Sequence, residues 1–326
     1  MPNDPDPGAH MPKLLVTSRS FGQTSDRPFQ ILDQAGIAYT LMGIDFNYDV
    51  FKVAVQEYDA LIIGAHKFDP EDLAKCDKLQ IICKHGTGLD NIPLEMAKEK
   101  GIPVTNVPSM NADAVADLTF AHMLNISRGI SHSSAGVRAG KSKTFTGRDV
   151  WGKTLGLVGF GAIGKAVSRR AAGFSMNVLV FDPYVEAPPD ELKGIVTFCG
   201  FDRIIAECDI VSIHVPLTDE TKDLFDKNTI MCMRKDAILI NTARGGIVNE
   251  GDLYECMRGG HLFGAALDVT VEEPTNADNP LLSLDNVVIT PHIGMYSVEA
   301  LSAVGIVCAE NVARIFHGEE PLYRVV

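Results

Sequence analysis

Gly159, Gly161 and Gly164 follow the apolar run Thr154–Val158, and Asp182 closes the next apolar run, Asn177–Phe181. The stretch between them, rich in Ala, Val and Arg as far as Ala172, has a helical composition. In a strand–turn–helix–strand unit each glycine has its own task. The first permits a tight turn, the second lets the backbone approach a pyrophosphate, and the third lets helix and strand pack closely. An anion at that helix N-terminus meets unpaired N–H groups and the positive end of the helix dipole. Asp182 stands where the ribose hydroxyls of an adenosine would donate hydrogen bonds. The plainer alternative is a glycine turn with a strand-end Asp capping a loop. The full arrangement of both strands, helix and acid points to dinucleotide binding. Asp182 would repel a 2′-phosphate, and Pro183 and Tyr184 offer no arginine to offset this, so NAD is expected rather than NADP.

Three further residues could carry chemistry. Arg244 lies in Asn241-Thr-Ala-Arg-Gly-Gly246, just after an expected strand, and the fork of an arginine suits bidentate recognition of a carboxylate. Glu273, in Asp268-Val-Thr-Val-Glu-Glu273-Pro274, and His292, in Thr290-Pro-His292-Ile-Gly294, each follow another expected strand. A lone His after a strand is more often structural than a base. Here all three residues follow strand ends of one expected sheet and should meet at one edge. Hydride transfer from a secondary alcohol needs a group to take the hydroxyl proton, and histidine titrates in the right range. A carboxylate beside it would favour the imidazolium and hold the ring.

Apolar runs alternate with helix-like segments along the whole chain, the pattern of parallel α/β sheets. Strands are expected at Lys13–Thr17, Ala60–Gly64, Leu79–Lys84 and Pro103–Val107 before the glycine turn. After it they are expected at Ile210–Val215, Ala237–Asn241, His261–Leu267 and Val287–Thr290, besides the two already named. Helices are expected at Phe29–Ala35, Asp69–Lys75 and Leu94–Lys100. Val115, Leu118, Phe120, Met123, Leu124 and Ile126 make Ala112–Arg128 a long helix between the two groups of strands. Ser297–Phe316 reads as a second long helix that crosses back to the first group. The expected architecture is α/β, with two doubly wound parallel-sheet domains. A Rossmann dinucleotide domain (109–296) is inserted into a flavodoxin-like substrate domain (11–108 plus 297–326), and the cleft between such lobes is the usual place for a ligand.

At 326 residues, two domains are the prior expectation. Apolar residues make up 46% and charged residues 22%, as in ordinary soluble enzymes. A net charge of −13 argues against nucleic acid or an anionic membrane surface as partner. Seven scattered cysteines without a CxxC pair suggest reduced thiols in the cytoplasm, and their spacing offers no metal site. No apolar run is long enough to span a membrane. Met1–His10 is polar and proline-rich, so it is expected to be a tag remnant rather than a signal peptide.

Six segments together carry a resemblance: His85-Gly-Thr-Gly88-Leu-Asp-Asn91-Ile92, Val158-Gly-Phe-Gly-Ala-Ile-Gly164, His214-Val-Pro-Leu-Thr218, Asn241-Thr-Ala-Arg-Gly-Gly246, Glu272-Glu-Pro274 and Thr290-Pro-His-Ile-Gly294. In their order and spacing, over residues 13–326, the chain resembles the NAD-dependent D-2-hydroxyacid dehydrogenases. The resemblance implies an Arg/Glu/His catalytic set at Arg244, Glu273 and His292. It implies cofactor contacts at Gly159, Gly161, Ala162, Ile163, Gly164, Asp182, His214, Val215, Pro216, Thr242, Ala243, Asp268 and Gly294, with Asp268 on the nicotinamide carboxamide. The substrate carboxylate would be held by Gly86, Thr87 and Gly88, with Lys84 and His85 beside them. It further implies a homodimer built on the bridging helix and its neighbours. In that chemistry His292 gives a proton to the carbonyl of a small anionic 2-keto acid as NADH delivers hydride. Arg244 orients the carboxylate and Glu273 keeps His292 competent.

Lys78–Gly88 is most similar to the phosphoglycerate dehydrogenase branch, and that activity is the first expectation. Two departures count against it. Members often place Arg in the loop matching Gly64–Lys67 and just before the carboxylate loop, where this chain has His66, Lys67 and Lys84. Those side chains and His85 leave a second anionic group on the substrate open. Met295-Tyr296-Ser297 replaces the small residues common after the His-Ile-Gly, and the chain ending at Val326 leaves no room for a C-terminal regulatory domain. Glyoxylate/hydroxypyruvate reduction is the alternative within the class. Formate dehydrogenation is disfavoured by Glu273, where those relatives carry Gln, and phosphite oxidation is a remote option. A non-enzymatic NAD-sensing corepressor is the alternative from a different class.

Overall fold

The structure, a computed structural model, describes residues 11–44, 46–141 and 144–326. The expected tag remnant at residues 1–10 lies outside them. The described chain forms two compact units, one of residues 11–111 with Tyr296–Val326 and one of Ala112–Met295.

The first unit holds five parallel strands: β1 (Lys13–Val16), β2 (Ala38–Leu41), β3 (Ala60–Ile63), β4 (Ile81–Lys84) and β5 (Val104–Thr105). Their order is β2-β1-β3-β4-β5, the flavodoxin-like arrangement. Every residue of β3 and β4 is buried, as parallel strands covered on both faces require. Helix Val298–Phe316 packs on helix Arg27–Gln34 and on β4, so the end of the chain returns to this unit. Ser297 caps that helix by accepting from the Ala300 N–H at 3.1 Å.

The second unit carries seven parallel strands: β6 (Thr154–Val158), β7 (Asn177–Phe181), β8 (Val196–Phe198), β9 (Ile210–Ile213), β10 (Ile238–Asn241), β11 (Gly264–Leu267) and β12 (Val287–Ile289). Their order, β12-β11-β10-β9-β6-β7-β8, reverses at β6, the switch point at which a doubly wound sheet binds its ligand. Helix Ala112–Arg128 lies against β10, β11 and β12 with Phe120, Met123 and Ile126 in the core.

Two strands were not expected from the sequence. β2 is a sheet edge with its residues mostly exposed, and β8 is a three-residue edge, so neither needs a continuous apolar run.

Candidate functional site

The glycine turn has the geometry its spacing predicts. Gly159 takes a φ of +102°, and a Cβ there would lie 2.6 Å from the His214 carbonyl oxygen. A Cβ on Gly164 would lie 2.4 Å from the Gly159 carbonyl oxygen, so the third glycine is the one that seats the helix on the turn. Around Gly161 there is open space instead, and no side chain caps helix Ala162–Gly173. An uncapped helix N-terminus beside an unfilled glycine is a fitting cradle for a pyrophosphate.

Asp182 does more than the sequence reading assigned to it. Its Oδ2 accepts from the Phe160 N–H at 2.7 Å and its Oδ1 from the Tyr184 N–H at 2.9 Å. The carboxylate thus ties the end of β7 to the glycine turn, and each oxygen keeps a lone pair for a ribose hydroxyl. His214 pairs through Nε2 with Ser212 Oγ at 2.9 Å, while its buried Nδ1 finds no partner among the described residues. Desolvation pushes its pKa down to about 3, so the ring is neutral.

Arg244, Glu273 and His292 follow β10, β11 and β12, which place them at the same sheet edge as the glycine turn. The loop after β10 is shaped by Asn241, whose Nδ2 donates to the Arg244 carbonyl at 2.8 Å while its Oδ1 accepts from the Ala243 N–H at 3.0 Å. Arg244 itself donates from Nη1 to the Ala243 carbonyl at 2.7 Å. A Cβ on Gly245 would stand 2.0 Å from the Thr270 carbonyl oxygen, so only glycine lets the loops after β10 and β11 meet. Thr242 Oγ1 lies 3.1 Å from Thr119 Oγ1 on helix Ala112–Arg128.

Glu273 sits on a loop that Glu250 anchors, by accepting from the Val271 N–H at 2.6 Å and from Asn279 Nδ2 at 2.7 Å. His292 Nδ1 is 2.8 Å from Glu273 Oε2, and both side chains remain partly open to solvent at 42% and 36%. Such a pair adds little to stability. What it does is fix the ring and leave Nε2 directed away from the carboxylate.

Asp268 was expected to touch a bound cofactor. It is 1% exposed, and its carboxylate accepts from Thr290 Oγ1 at 2.5 Å, the Ile293 N–H at 2.9 Å and the Gly294 N–H at 2.7 Å. Its structural task is to shape the loop that bears His292. Asn241, Glu250 and the partner of Thr290, His122, were not singled out from sequence. Only His122, a lone imidazole in an apolar helix, left a readable signal there.

In the first unit the loop after β4 holds the other expected positions. Gly86 takes a φ of +143°, and its carbonyl accepts from the Val107 N–H at 2.9 Å. Thr87 donates from Oγ1 to the Val107 carbonyl at 3.1 Å. The main-chain N–H groups of Thr87 and Gly88 find no acceptor among the described residues, which suits a carboxylate. The neighbouring cations are differently placed. Lys84, 9% exposed, donates from Nζ to the Gly64 carbonyl and to Asn91 Oδ1, both at 2.7 Å. His85 is buried with Nδ1 3.1 Å from Ser18 Oγ, and burial pushes its pKa down to about 4. His66 stacks on Phe46 and bonds Thr17 Oγ1 and the Lys67 carbonyl, and its pKa is likewise pushed down to about 4 by burial. Lys67 pairs with Asp69 at 3.0 Å. The cluster that left a second anion open in the sequence is thus largely neutral or engaged within the unit.

Among the described residues no cluster of His, Cys, Asp and Glu could hold a metal ion, and no helix is long and apolar enough to cross a membrane.

Residues 120–294 match the family described as D-isomer specific 2-hydroxyacid dehydrogenase, NAD binding domain. A hydroxypyruvate reductase of Thermotoga maritima is 41% identical over 263 residues, covering 79% of this chain and 85% of that protein. A D-3-phosphoglycerate dehydrogenase of Methanocaldococcus jannaschii is 37% identical over 312 residues, covering 95% of this chain. The chain spans only 58% of that relative's length. The crystal structure of the TT0316 protein from Thermus thermophilus superposes with a TM-score of 0.88 at 36% identity, covering 96% of this chain and all of that one. With the NAD-binding domain, the glycine turn and the His292–Glu273 pair in one unit, the chain belongs to the D-isomer specific 2-hydroxyacid dehydrogenase family.

Proposed function

We propose that the protein is an NAD-dependent oxidoreductase that interconverts a small 2-keto acid and its D-2-hydroxy acid. The observation that carries this reading is the 2.8 Å contact between His292 Nδ1 and Glu273 Oε2, at the same sheet edge as the glycine turn. NAD(H), held at the glycine turn and Asp182, would supply or accept the hydride. His292, held through Nδ1, presents Nε2 to the substrate oxygen and gives it a proton in reduction, or takes the hydroxyl proton in oxidation. Arg244 orients the carboxylate and polarises the carbonyl, because a guanidinium matches a planar anion bidentately. The main-chain N–H groups of Thr87 and Gly88 are of the kind that holds a carboxylate. Asp182 selects NAD by charge.

Among substrates, the engagement of Lys84, His85 and His66 within their own unit favours a 2-keto acid without a phosphate, such as glyoxylate or hydroxypyruvate. The likeness to the phosphoglycerate dehydrogenase branch stands, with relatives of that name 37% and 40% identical, and within it these contacts favour the activity for which the T. maritima relative is named. A homodimer through helix Ala112–Arg128 and its neighbours is part of the proposal, supported by exposed Ile130, Val137 and Trp151 after that helix. Cytoplasmic location is supported by seven cysteines that are all free thiols.

The test is NADH oxidation with glyoxylate, hydroxypyruvate, phosphohydroxypyruvate and pyruvate, repeated with NADPH. Turnover with glyoxylate or hydroxypyruvate and a clear preference for NADH is expected. Preference for phosphohydroxypyruvate would reinstate the phosphate-binding reading. No turnover with any of them would overturn the enzymatic one in favour of an NAD sensor.

A further inference from the structure

His122 is out of place by composition. It lies in the middle of helix Ala112–Arg128 among Val115, Thr119, Phe120, Met123 and Ile126, and it is 3% exposed. Burying an imidazole there is costly unless it is hydrogen-bonded. Its Nε2 lies 3.1 Å from Thr290 Oγ1, which in turn lies 2.5 Å from Asp268 Oδ1.

The protons on this chain can be counted. Both Asp268 oxygens accept main-chain N–H groups, Oδ1 from Ile293 and Oδ2 from Gly294, so the carboxylate is the acceptor. The single Thr290 hydroxyl proton therefore goes to Asp268, and Thr290 Oγ1 receives a proton from His122. His122 is thereby the neutral Nε2–H tautomer. Desolvation, which lowers its pKa, acts in the same direction.

The far end of this chain is the residue on which proton transfer depends. His292 is held in the left-handed region at φ +52°, an uncommon conformation for a non-glycine residue. Its N–H donates to the Asp268 carbonyl at 2.8 Å, and the two residues after it donate to the Asp268 carboxylate. Such backbone strain persists only when its surroundings over-determine it. Asp268 and Thr290 supply that determination, and His122 fixes the direction of the Thr290 hydroxyl.

We propose that His122 is a positioning residue for His292, acting through the Thr290 hydroxyl and the Asp268 carboxylate. The inference rests on His292 being the acid–base group of the proposed reaction. It assigns to the bridging helix a role beyond packing. Because Val115 of the same helix also packs beside Gly294, simple loss of shape must be separated from loss of the hydrogen bond. His122→Leu keeps bulk and removes the donor. His122→Gln restores an N–H close to the former Nε2.

The experiment uses the full chain, with NADH and glyoxylate for kinetics and 15N-labelled histidine rings for NMR. His122→Leu should lower kcat by roughly 10- to 100-fold, the range small misplacements of a catalytic group produce, with KM nearly unchanged. Thr290→Val should do the same, the double variant should be no worse than either single one, and His122→Gln should recover most of the loss. In the NMR arm the wild-type His122 ring should be the Nε2–H tautomer at neutral pH. His122→Leu should move the His292 ring resonances, and His122→Gln should return them. Near-normal kcat in His122→Leu, an Nδ1–H tautomer, or unmoved His292 resonances would overturn the proposal. If the wild-type protein turned over no keto acid, the functional reading would fall, while the ring resonances would still decide the relay.

Discussion

The loop after β4 and the loop after β12 both place a histidine just beyond the end of a parallel strand, yet the two histidines have opposite fates. His85 is turned into the first unit's core, with Nδ1 on Ser18, a ring edge against Phe21 and a pKa pushed down to about 4. His292 is 42% exposed, held by a carboxylate at one nitrogen and fixed in a left-handed backbone by its own loop. A position at the carboxyl edge of a sheet is therefore not enough to make a residue chemical. What separates the two is burial and the partner. Desolvation keeps the buried His85 ring neutral, whereas Glu273 orients the half-exposed His292 ring and leaves its other nitrogen open.

The largest effect that would sharpen this contrast comes from His292→Ala. General acid–base contributions are worth about 10²–10⁴-fold, so kcat with glyoxylate should fall by that range while NADH fluorescence titration shows unchanged cofactor binding. Near-normal turnover would remove His292 from the mechanism and the contrast with it.

A smaller effect is expected at Lys84, the cation of the first loop. In Lys84→Met the Gly64 carbonyl and Asn91 Oδ1 lose a buried charged donor, which costs about 1–3 kcal/mol in urea unfolding. A variant of wild-type stability whose KM for the keto acid rose steeply would show that Lys84 serves the substrate after all. The comparison would then break.

The smallest effect is a pH slope. The folded His85 pKa, about 4, lies below its ordinary 6.5, so the unfolded chain binds the extra proton. Its contribution is present above pH 6.5 and is lost as pH falls toward 4, with a slope that rises from about half of 1.4 kcal/mol per pH unit at pH 6.5 toward that value near pH 5. His85→Asn, which keeps a polar atom near Ser18, should flatten the fall in unfolding free energy between pH 6.5 and 5 by about that slope. An unchanged slope would mean that the ring titrates normally and is not silenced by burial.

The chemistry of the second unit was legible because it is written in local spacing. Gly159, Gly161 and Gly164 answer to steric demands within six residues, and Arg244, Glu273 and His292 follow strands whose apolar runs mark their ends. Edge strands β2 and β8 were missed because a strand with one free side need not be apolar throughout. The relay from His122 was missed because its members are 168 and 22 residues apart along the chain.

Sequence by itself therefore determined the two α/β units and the dinucleotide turn, and it named the residues proposed to move a proton, since backbone sterics and side-chain chemistry act over a few residues. Only the tertiary structure decided what surrounds the cluster. Lys84, His66 and His85 looked available as a basic group, and the fold gives each a partner of its own among Gly64, Asn91, Thr17 and Ser18. Tertiary packing likewise decided that Asp268 holds a loop, because the work a carboxylate does depends on which donors the fold brings within hydrogen-bonding distance.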